Sequence, residues 1–447
     1  MAHSTVPEGQ LLNEVQRFNH AVLAFIDERG YPLNVAADFT VDSKAGTIKL
    51  ARPSVPGLPR KGAEVNVTFS HIRPQPGVGY DQRRYVTVWG RVRSANGELI
   101  VTPERSHGWD EEKMSFFELC ERSVPVAHEY MRKLSRERGE EVKAKLAVGW
   151  LIFLATRVPF LTATIVPVML GALVARSHGF SSWWLTMLAL LGACAIHLAL
   201  NVTNDVADAT SGADEANVNP TMFSGGSRMI QYGLVSLQAM KRAAIGLYAA
   251  GIAIGLYLAA TRGVEILWLG VAGVFLSIFY SAGPLRLVHR GVGEICVALG
   301  FGPIMVLGAY YVVAQRWSFE AFYASLPVAL LIMLVLYVNS IPDRPADART
   351  GKRTLIVRLS KEAVIRGYAL SVGLTFALIA IGAATGLMPI WTLIALATIP
   401  MALQVYRDLE PHYDNPYALM GPMGKNIGLH FITGLLLILG YTADVVF

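Results

Sequence analysis

GACAIHLALNVTNDVAD, residues 192–208, is an apolar run that ends in Asn201, Asn204, Asp205 and Asp208. One such ending is an ordinary polar helix terminus emerging into water. The chain does something similar at YVNSIPDRPADARTGKRTL (337–355), where Asn339 precedes Asp343 by four residues, as Asn201 precedes Asp205. Asp208 follows Asp205 by three and Asp347 follows Asp343 by four, spacings that put side chains on one helix face. If the helix continues through each cluster, each presents an Asn and two carboxylates as a ridge. Pro342 and Pro345 make that continuity less secure in the second copy.

Outward from these clusters the chain is strongly apolar. Of its 447 residues 53% are hydrophobic and 16% charged, against roughly a quarter charged in soluble domains. Residues before about Lys145 look soluble, and the rest is a series of long apolar segments. At roughly 20 apolar residues per bilayer crossing there are about nine candidates. They run 151–175, 181–203, 238–261, 264–281, 291–314, 319–341, 362–386, 389–406 and 427–446. The expected fold is a membrane all-α bundle behind a small soluble β-barrel. The expected domains are 1–112, a helical linker 113–147, and a transmembrane part 148–447.

The net charge of +6 is modest, and basic residues cluster beside apolar segments, which fits membrane topology and no nucleic-acid partner. One set of connections carries Arg176, Arg262 and Arg316. The other carries far more, including Arg228, Lys241, Arg242, Arg286, Arg290 and the run from Arg344 to Arg366. Positive residues mark the cytoplasmic side. Both acidic clusters and the N-terminal domain are expected there, with the C-terminus outside a plasma-membrane bilayer. Cys120, Cys194 and Cys296 have no metal-type spacing, and MAHSTVPEGQ shows no cleaved signal.

Four carboxylates at a membrane boundary are costly unless neutralised. Salt bridges to nearby Arg or Lys are one solution. The other is Mg²⁺, which takes oxygen ligands and joins a few carboxylates to substrate phosphates. Two facing Asp clusters with surrounding Arg and Lys suit a diphosphate, stabilising the charge that grows as it departs.

NDxxD ending one span and DxxxD ending another resembles the UbiA superfamily of intramembrane prenyltransferases, over roughly 148–447. TRVPFLTATIVPVMLGALVA (156–175), HLALNVTNDVADATSGAD (197–214), FYSAGPLRLVHRGVGEICVALGFGPIMVLGAYYVVAQ (279–315) and DRPADARTGKRTLIVRLS (343–360) are most similar to the branch that prenylates 1,4-dihydroxy-2-naphthoate in menaquinone biosynthesis. The resemblance implies Mg²⁺ at Asp205, Asp208, Asp343 and Asp347, with Asp214 as a further acidic position. It implies a polyprenyl diphosphate and an aromatic acceptor as substrates, and demethylmenaquinone as product. Asn201, Asn204, Asn339, Arg349, Lys352 and Arg353 fall on or beside its motifs as substrate contacts. Pro342 stands where this branch commonly has Arg, with Arg344 close by as a substitute.

Other polar residues have two readings each. Arg157 is a snorkelling interfacial residue or, by the resemblance, a site residue. His197, one turn before Asn201, is a helix–helix hydrogen-bonding group or an acceptor contact. Arg228 lies in SGGSRMIQYG (224–233), a surface loop or a diphosphate contact whose glycines permit close approach. Tyr280 is a cavity residue or an interfacial anchor. Glu294 binds a phenol or pairs with Arg290.

Before the membrane, HAVLAFID, YPLNVAADF, GTIKLA, AEVNVTFSHI, RRYVTVWGRVR and GELIVT read as strands separated by turn signals. Their order resembles the split barrel of pyridoxamine-phosphate-oxidase-like proteins. That likeness implies FMN or a related flavin, with Arg52 and Lys61 as guesses for its phosphate; an assembly module without cofactor is the alternative. Three other functions remain open at this point: a superfamily member acting on 4-hydroxybenzoate or a lipid alcohol, a membrane transporter, and a membrane-anchored flavin-dependent quinone reductase.

Overall fold

A computed structural model describes residues 8–447 apart from 28, 56, 76–78, 96, 115, 143–146, 218 and 219. The chain divides into two units, Met1–Val142 and Lys143–Phe447, each with its own apolar core.

The first unit runs α1 (Glu8–Val15), β1 (Ala21–Ile26), β2 (Pro32–Ala37), β3 (Phe39–Asp42), β4 (Thr47–Ala51), β5 (Glu64–Gln75), β6 (Gly79–Ala95), β7 (Glu98–Asp110) and α2 (Phe116–Arg138). The strands form one antiparallel sheet, β2-β1-β5-β6-β7-β4-β3, a half-barrel. Alternation places it: Ala21, Leu23 and Phe25 of β1 turn inward against Val65, Val67 and Phe69 of β5. Two features exceed the sequence reading. β3, only four residues, is held by pairing with β4. β7 runs on to Asp110 because the 17-residue β6 offers a partner along that length, past a register shift at Trp89/Gly90.

The second unit is helical: α3 (Val148–Ala155), α4 (Thr162–Ser177), α5 (Trp183–Ser211), α6 (Ala213–Ala216), α7 (Leu237–Arg262), α8 (Val264–Ser281), α9 (Gly293–Leu299), α10 (Met305–Ala314), α11 (Phe319–Asn339), α12 (Arg344–Arg349), α13 (Leu355–Arg358), α14 (Lys361–Ala384), α15 (Ile399–His412) and α16 (Met420–Val446). Among the described residues, eight helices are long and apolar enough to cross a membrane, α9–α10 and the Ile390–His412 segment each counting once. The 16-residue α4 is a shorter apolar helix. The chain is an integral membrane protein.

The nine expected spans become eight long helices and α4, because the stretch 151–175 is not one helix. α3 ends at Ala155, and Arg157 takes a left-handed backbone (φ 55°) ahead of Pro159. A left-handed L-residue costs roughly 1–2 kcal/mol, so contacts elsewhere must hold it. α11 is central, with Val328, Leu331 and Leu334 fully buried. α5 is unusually long: 29 residues make about 43 Å against a hydrocarbon core of about 30 Å. Its last turns therefore carry Asn201–Asp208 to the membrane boundary, and Gly212, left-handed at φ 77°, ends the helix.

Candidate active site

The first acidic cluster lies on unbroken helix, so the expected ridge is real there. Asn204 Nδ2 donates to Asp208 Oδ2 one turn on (3.0 Å), and Asn201 Nδ2 to the Thr156 carbonyl (3.0 Å). The second cluster is not one helix. α11 stops at Asn339, a turn follows through Pro342, and Asp347 sits on the short α12, its N–H bonded to the Asp343 carbonyl (2.9 Å). Proline removes a donor and its ring crowds the preceding turn, which is why the helix gives way here.

Tertiary contacts bring the clusters together. Lys352 Nζ lies 2.9 Å from Asp208 Oδ1 and 3.5 Å from Asp347 Oδ1, spanning the two ridges. Arg157, held in its left-handed turn, places a guanidinium nitrogen 2.5 Å from Asp205 Oδ1. The salt-bridge solution is thus realised at three carboxylates. The fourth, Asp343, receives neutral donors: Asn217 Nδ2 (2.8 Å) and the Gly225 N–H (3.2 Å). Asp205 Oδ2 accepts from the Ser227 N–H (3.2 Å).

The SGGSR loop is therefore folded into the site. Gly225 and Gly226 are both left-handed (φ 77° and 76°), and a side chain on Gly226 would stand 2.9 Å from the Asp214 carboxylate. Arg228, also left-handed at φ 59°, donates to the Asp214 carbonyl, and Gln231 to its carboxylate (3.2 Å). Two arginines in a sparsely populated backbone region beside one carboxylate cluster are the kind of strain that accumulates at functional sites.

Negative charge is crowded. Burial, then Asp208 and Asp205, push Asp214 up to about 8. Burial, with Asp343 and Asp208 adding to it against Lys352, pushes Asp347 up to about 7. Burial also raises Asp343, against Lys352 and the Gly225 N–H. Burial pulls Lys352 down, but Asp208, Asp347 and Asp343 together hold its ammonium above the ordinary range. Among the described residues no three His, Cys, Asp or Glu side chains form a metal cage by themselves. The oxygen-only donor set and its excess charge suit a hard divalent cation that takes its remaining ligands from a phosphate.

Not every expected residue joins. Arg349 is exposed and donates to the Pro345 and Ala216 carbonyls (both 3.1 Å), and Arg353 is exposed. Arg344 turns to the Leu359 carbonyl (3.1 Å) and the Tyr413 hydroxyl (3.4 Å), so it does not stand in for a basic residue at 342. Glu294 is buried, and Arg290 donates to the Leu285 carbonyl instead (2.7 Å). Asn339 is buried, its Oδ1 without a partner among the described residues. Arg52 and Lys61 are exposed between β4 and β5.

His197 bonds Thr164 across to α4 (2.8 Å) and meets the Phe301 ring edge-on. It also lines, with buried Tyr280, an apolar cavity of about 560 Å³ between α5, α7, α8 and α9–α10. The cavity follows α8 from Ile266 to Tyr280, about 21 Å of helix. Its walls include Ile252, Leu256 and Phe275, which are 40%, 52% and 44% exposed, so it opens sideways. Asn217, Gln231 and the Gly225 and Ser227 amides escaped the sequence reading. Backbone amides carry no residue signature, and nothing in the spacing of Asn217 or Gln231 marks their side chains.

Comparison with known proteins follows this geometry. The UbiA prenyltransferase family model matches residues 164–423. The 2-carboxy-1,4-naphthoquinone phytyltransferase of Synechocystis is 28% identical over 295 residues, covering 65% of this chain and 92% of that protein. The 1,4-dihydroxy-2-naphthoate octaprenyltransferase of Mycobacterium tuberculosis is 31% identical over 244 residues, 54% of this chain and 79% of its own. A solved UbiA homologue from Archaeoglobus fulgidus, bound to GPP and Mg²⁺, gives a TM-score of 0.46 at 15% identity, covering 64% of this chain and 99% of that one.

Proposed function

This chain belongs to the UbiA prenyltransferase family, and from that premise we propose that it transfers a polyprenyl group from polyprenyl diphosphate to 1,4-dihydroxy-2-naphthoate, Mg²⁺-dependently, for menaquinone biosynthesis. The naphthoate acceptor rests on the two relatives described above, both named for naphthalenoid acceptors. The observation that carries the chemistry is Lys352 bonded to Asp208 and close to Asp347, which draws the two acidic motifs to one place. Membership also replaces the transporter and quinone-reductase readings for residues 164–423.

Asp205, Asp208, Asp343 and Asp347 would hold Mg²⁺, with Asp214 beside them. When bound, the ion supplies Lewis-acid stabilisation of the departing diphosphate. Arg157 and Lys352 add fixed positive charge at the same point, and Arg228 is close enough to join them. The prenyl tail lies in the sideways-opening cavity, whose wall beside the first motif includes His197, Leu200 and Tyr280. Breaking the allylic C–O bond releases diphosphate and leaves cationic character at the prenyl carbon. The apolar walls keep water from that carbon. The electron-rich ring bonds to it at the carbon bearing the carboxylate, which leaves as CO₂, giving demethylmenaquinone in its reduced form. The arginine-rich connections favour a site on the cytoplasmic side of a plasma membrane, with the C-terminus outside.

The test is an acceptor panel: purified membranes, a radiolabelled polyprenyl diphosphate, and 1,4-dihydroxy-2-naphthoate, 4-hydroxybenzoate or a lipid alcohol, with and without EDTA. Labelled product with the naphthoate alone, abolished by EDTA and restored by Mg²⁺, is expected. Preference for either other acceptor would overturn the naphthoate assignment.

A further inference from the structure

Resting on that reading, we infer that Asn217 is a positioning residue: with the amides of Gly225 and Ser227 it fixes the separation of the two ridges, so that both engage one Mg²⁺–diphosphate.

The rear carboxylates, Asp208 and Asp347, have Lys352 between them. The lead carboxylates, Asp205 and Asp343, belong to elements far apart in the chain, and among the described residues no cation pairs with both. One loop reaches both. Asn217 Nδ2 and the Gly225 N–H take the two oxygens of Asp343, and the Ser227 N–H takes Asp205 Oδ2. The loop's 221–227 part is held by local hydrogen bonds. Thr221 Oγ1 accepts from the Ser224 N–H (3.1 Å) and the Phe223 N–H (3.2 Å), and Gly225 and Gly226 are both left-handed. Asn217 is buried and packed so closely that a Cβ on Gly225 would stand 2.7 Å from its Nδ2.

The residue type matters. A lysine at this point would neutralise Asp343 and compete with a metal. A carboxamide orients the carboxylate yet leaves its charge, and each carboxylate oxygen keeps a further lone pair for an ion. Outer hydrogen bonds of this kind typically contribute about 10- to 100-fold to metal affinity.

The experiment uses the full-length protein in detergent. Calorimetric titration with Mg²⁺ and inorganic pyrophosphate reads affinity without turnover, and steady-state kinetics read the substrates separately. Asn217→Ala should weaken Mg²⁺ binding about 10- to 100-fold and raise the KM for prenyl diphosphate. The acceptor KM should stay unchanged, and excess Mg²⁺ should restore kcat. Asn217→Ser, too short to reach Asp343, gives the same reading should the alanine variant not fold. Hydrogen exchange at the Gly225 and Ser227 amides should stay slow once Mg²⁺ and pyrophosphate are bound. Unaltered Mg²⁺ affinity in a folded variant overturns the proposal, as does a uniform loss of kcat and stability that Mg²⁺ does not rescue. Failure of the unsubstituted protein to bind Mg²⁺–pyrophosphate would instead sink the site reading on which it rests.

Discussion

Asp205 and Asp208 stand on a helix that runs unbroken for 29 residues, whereas Asp343 lies in a turn and Asp347 on a helix of six. The first ridge takes its spacing from the helix, and cations neutralise it from outside: Arg157 on Asp205, Lys352 on Asp208. The second ridge lacks a continuous helix, so hydrogen bonds from Asn217 and Gly225 do the aligning. Two carboxylate pairs of similar spacing are therefore held by different means. Where periodicity fails, a loop supplies what the backbone does not.

If both ridges serve one metal–diphosphate, Asp205→Ala and Asp343→Ala should each reduce transfer by at least about 100- to 1,000-fold, as loss of a strong transition-state contact does. Both variants should still insert and fold, as size-exclusion profiles would show. A loss confined to one ridge would break the equivalence. Lys352→Met comes next, because it strips the cation between Asp208 and Asp347. Removing one partner of a buried pair costs about 3–5 kcal/mol, so the thermal midpoint should fall together with activity, and Lys352→Arg should recover part of both. An unshifted midpoint would mean that Lys352 does not bridge the ridges.

A smaller effect concerns pH. Asp347 and Asp214, pushed up to about 7 and about 8, hold their protons more tightly in the folded chain than in the unfolded one. Their contribution to stability is full below about pH 4 and is lost as pH rises through 7 and 8. Mg²⁺ should therefore raise the thermal midpoint more at pH 8.5 than at pH 6, and an equal rise at both would contradict the crowded-charge picture. The smallest effect is expected from Pro342→Ala. The loop already aligns Asp343, so activity should change less than in any of the variants above. A tenfold change would return the alignment to the backbone.

Much of this was legible in the chain. Apolar segment length announces a membrane bundle, and the β-rich segments with turn signals between them announce a small β domain, because each pattern depends only on near neighbours. The paired Asn and Asp motifs were legible for the same reason. The break at Arg157 was not, since a helix end depends on the ion pair that holds a left-handed arginine against Asp205. Nor was the sorting of the basic residues after the second motif. Arg349, Lys352 and Arg353 look alike in sequence, yet only Lys352 points among the carboxylates, while Arg349 is spent on backbone carbonyls.

The residues alone determined where the two acidic motifs fall and that apolar segments long enough to cross a bilayer surround them, because hydrophobic length and local spacing are properties of a chain before it folds. The tertiary structure decided which carboxylate faces which cation, and that a glycine loop ties one motif to the other. Those choices depend on partners well separated in sequence, 48 positions for Arg157 and Asp205, 126 for Asn217 and Asp343 and 144 for Asp208 and Lys352, and no local pattern encodes them.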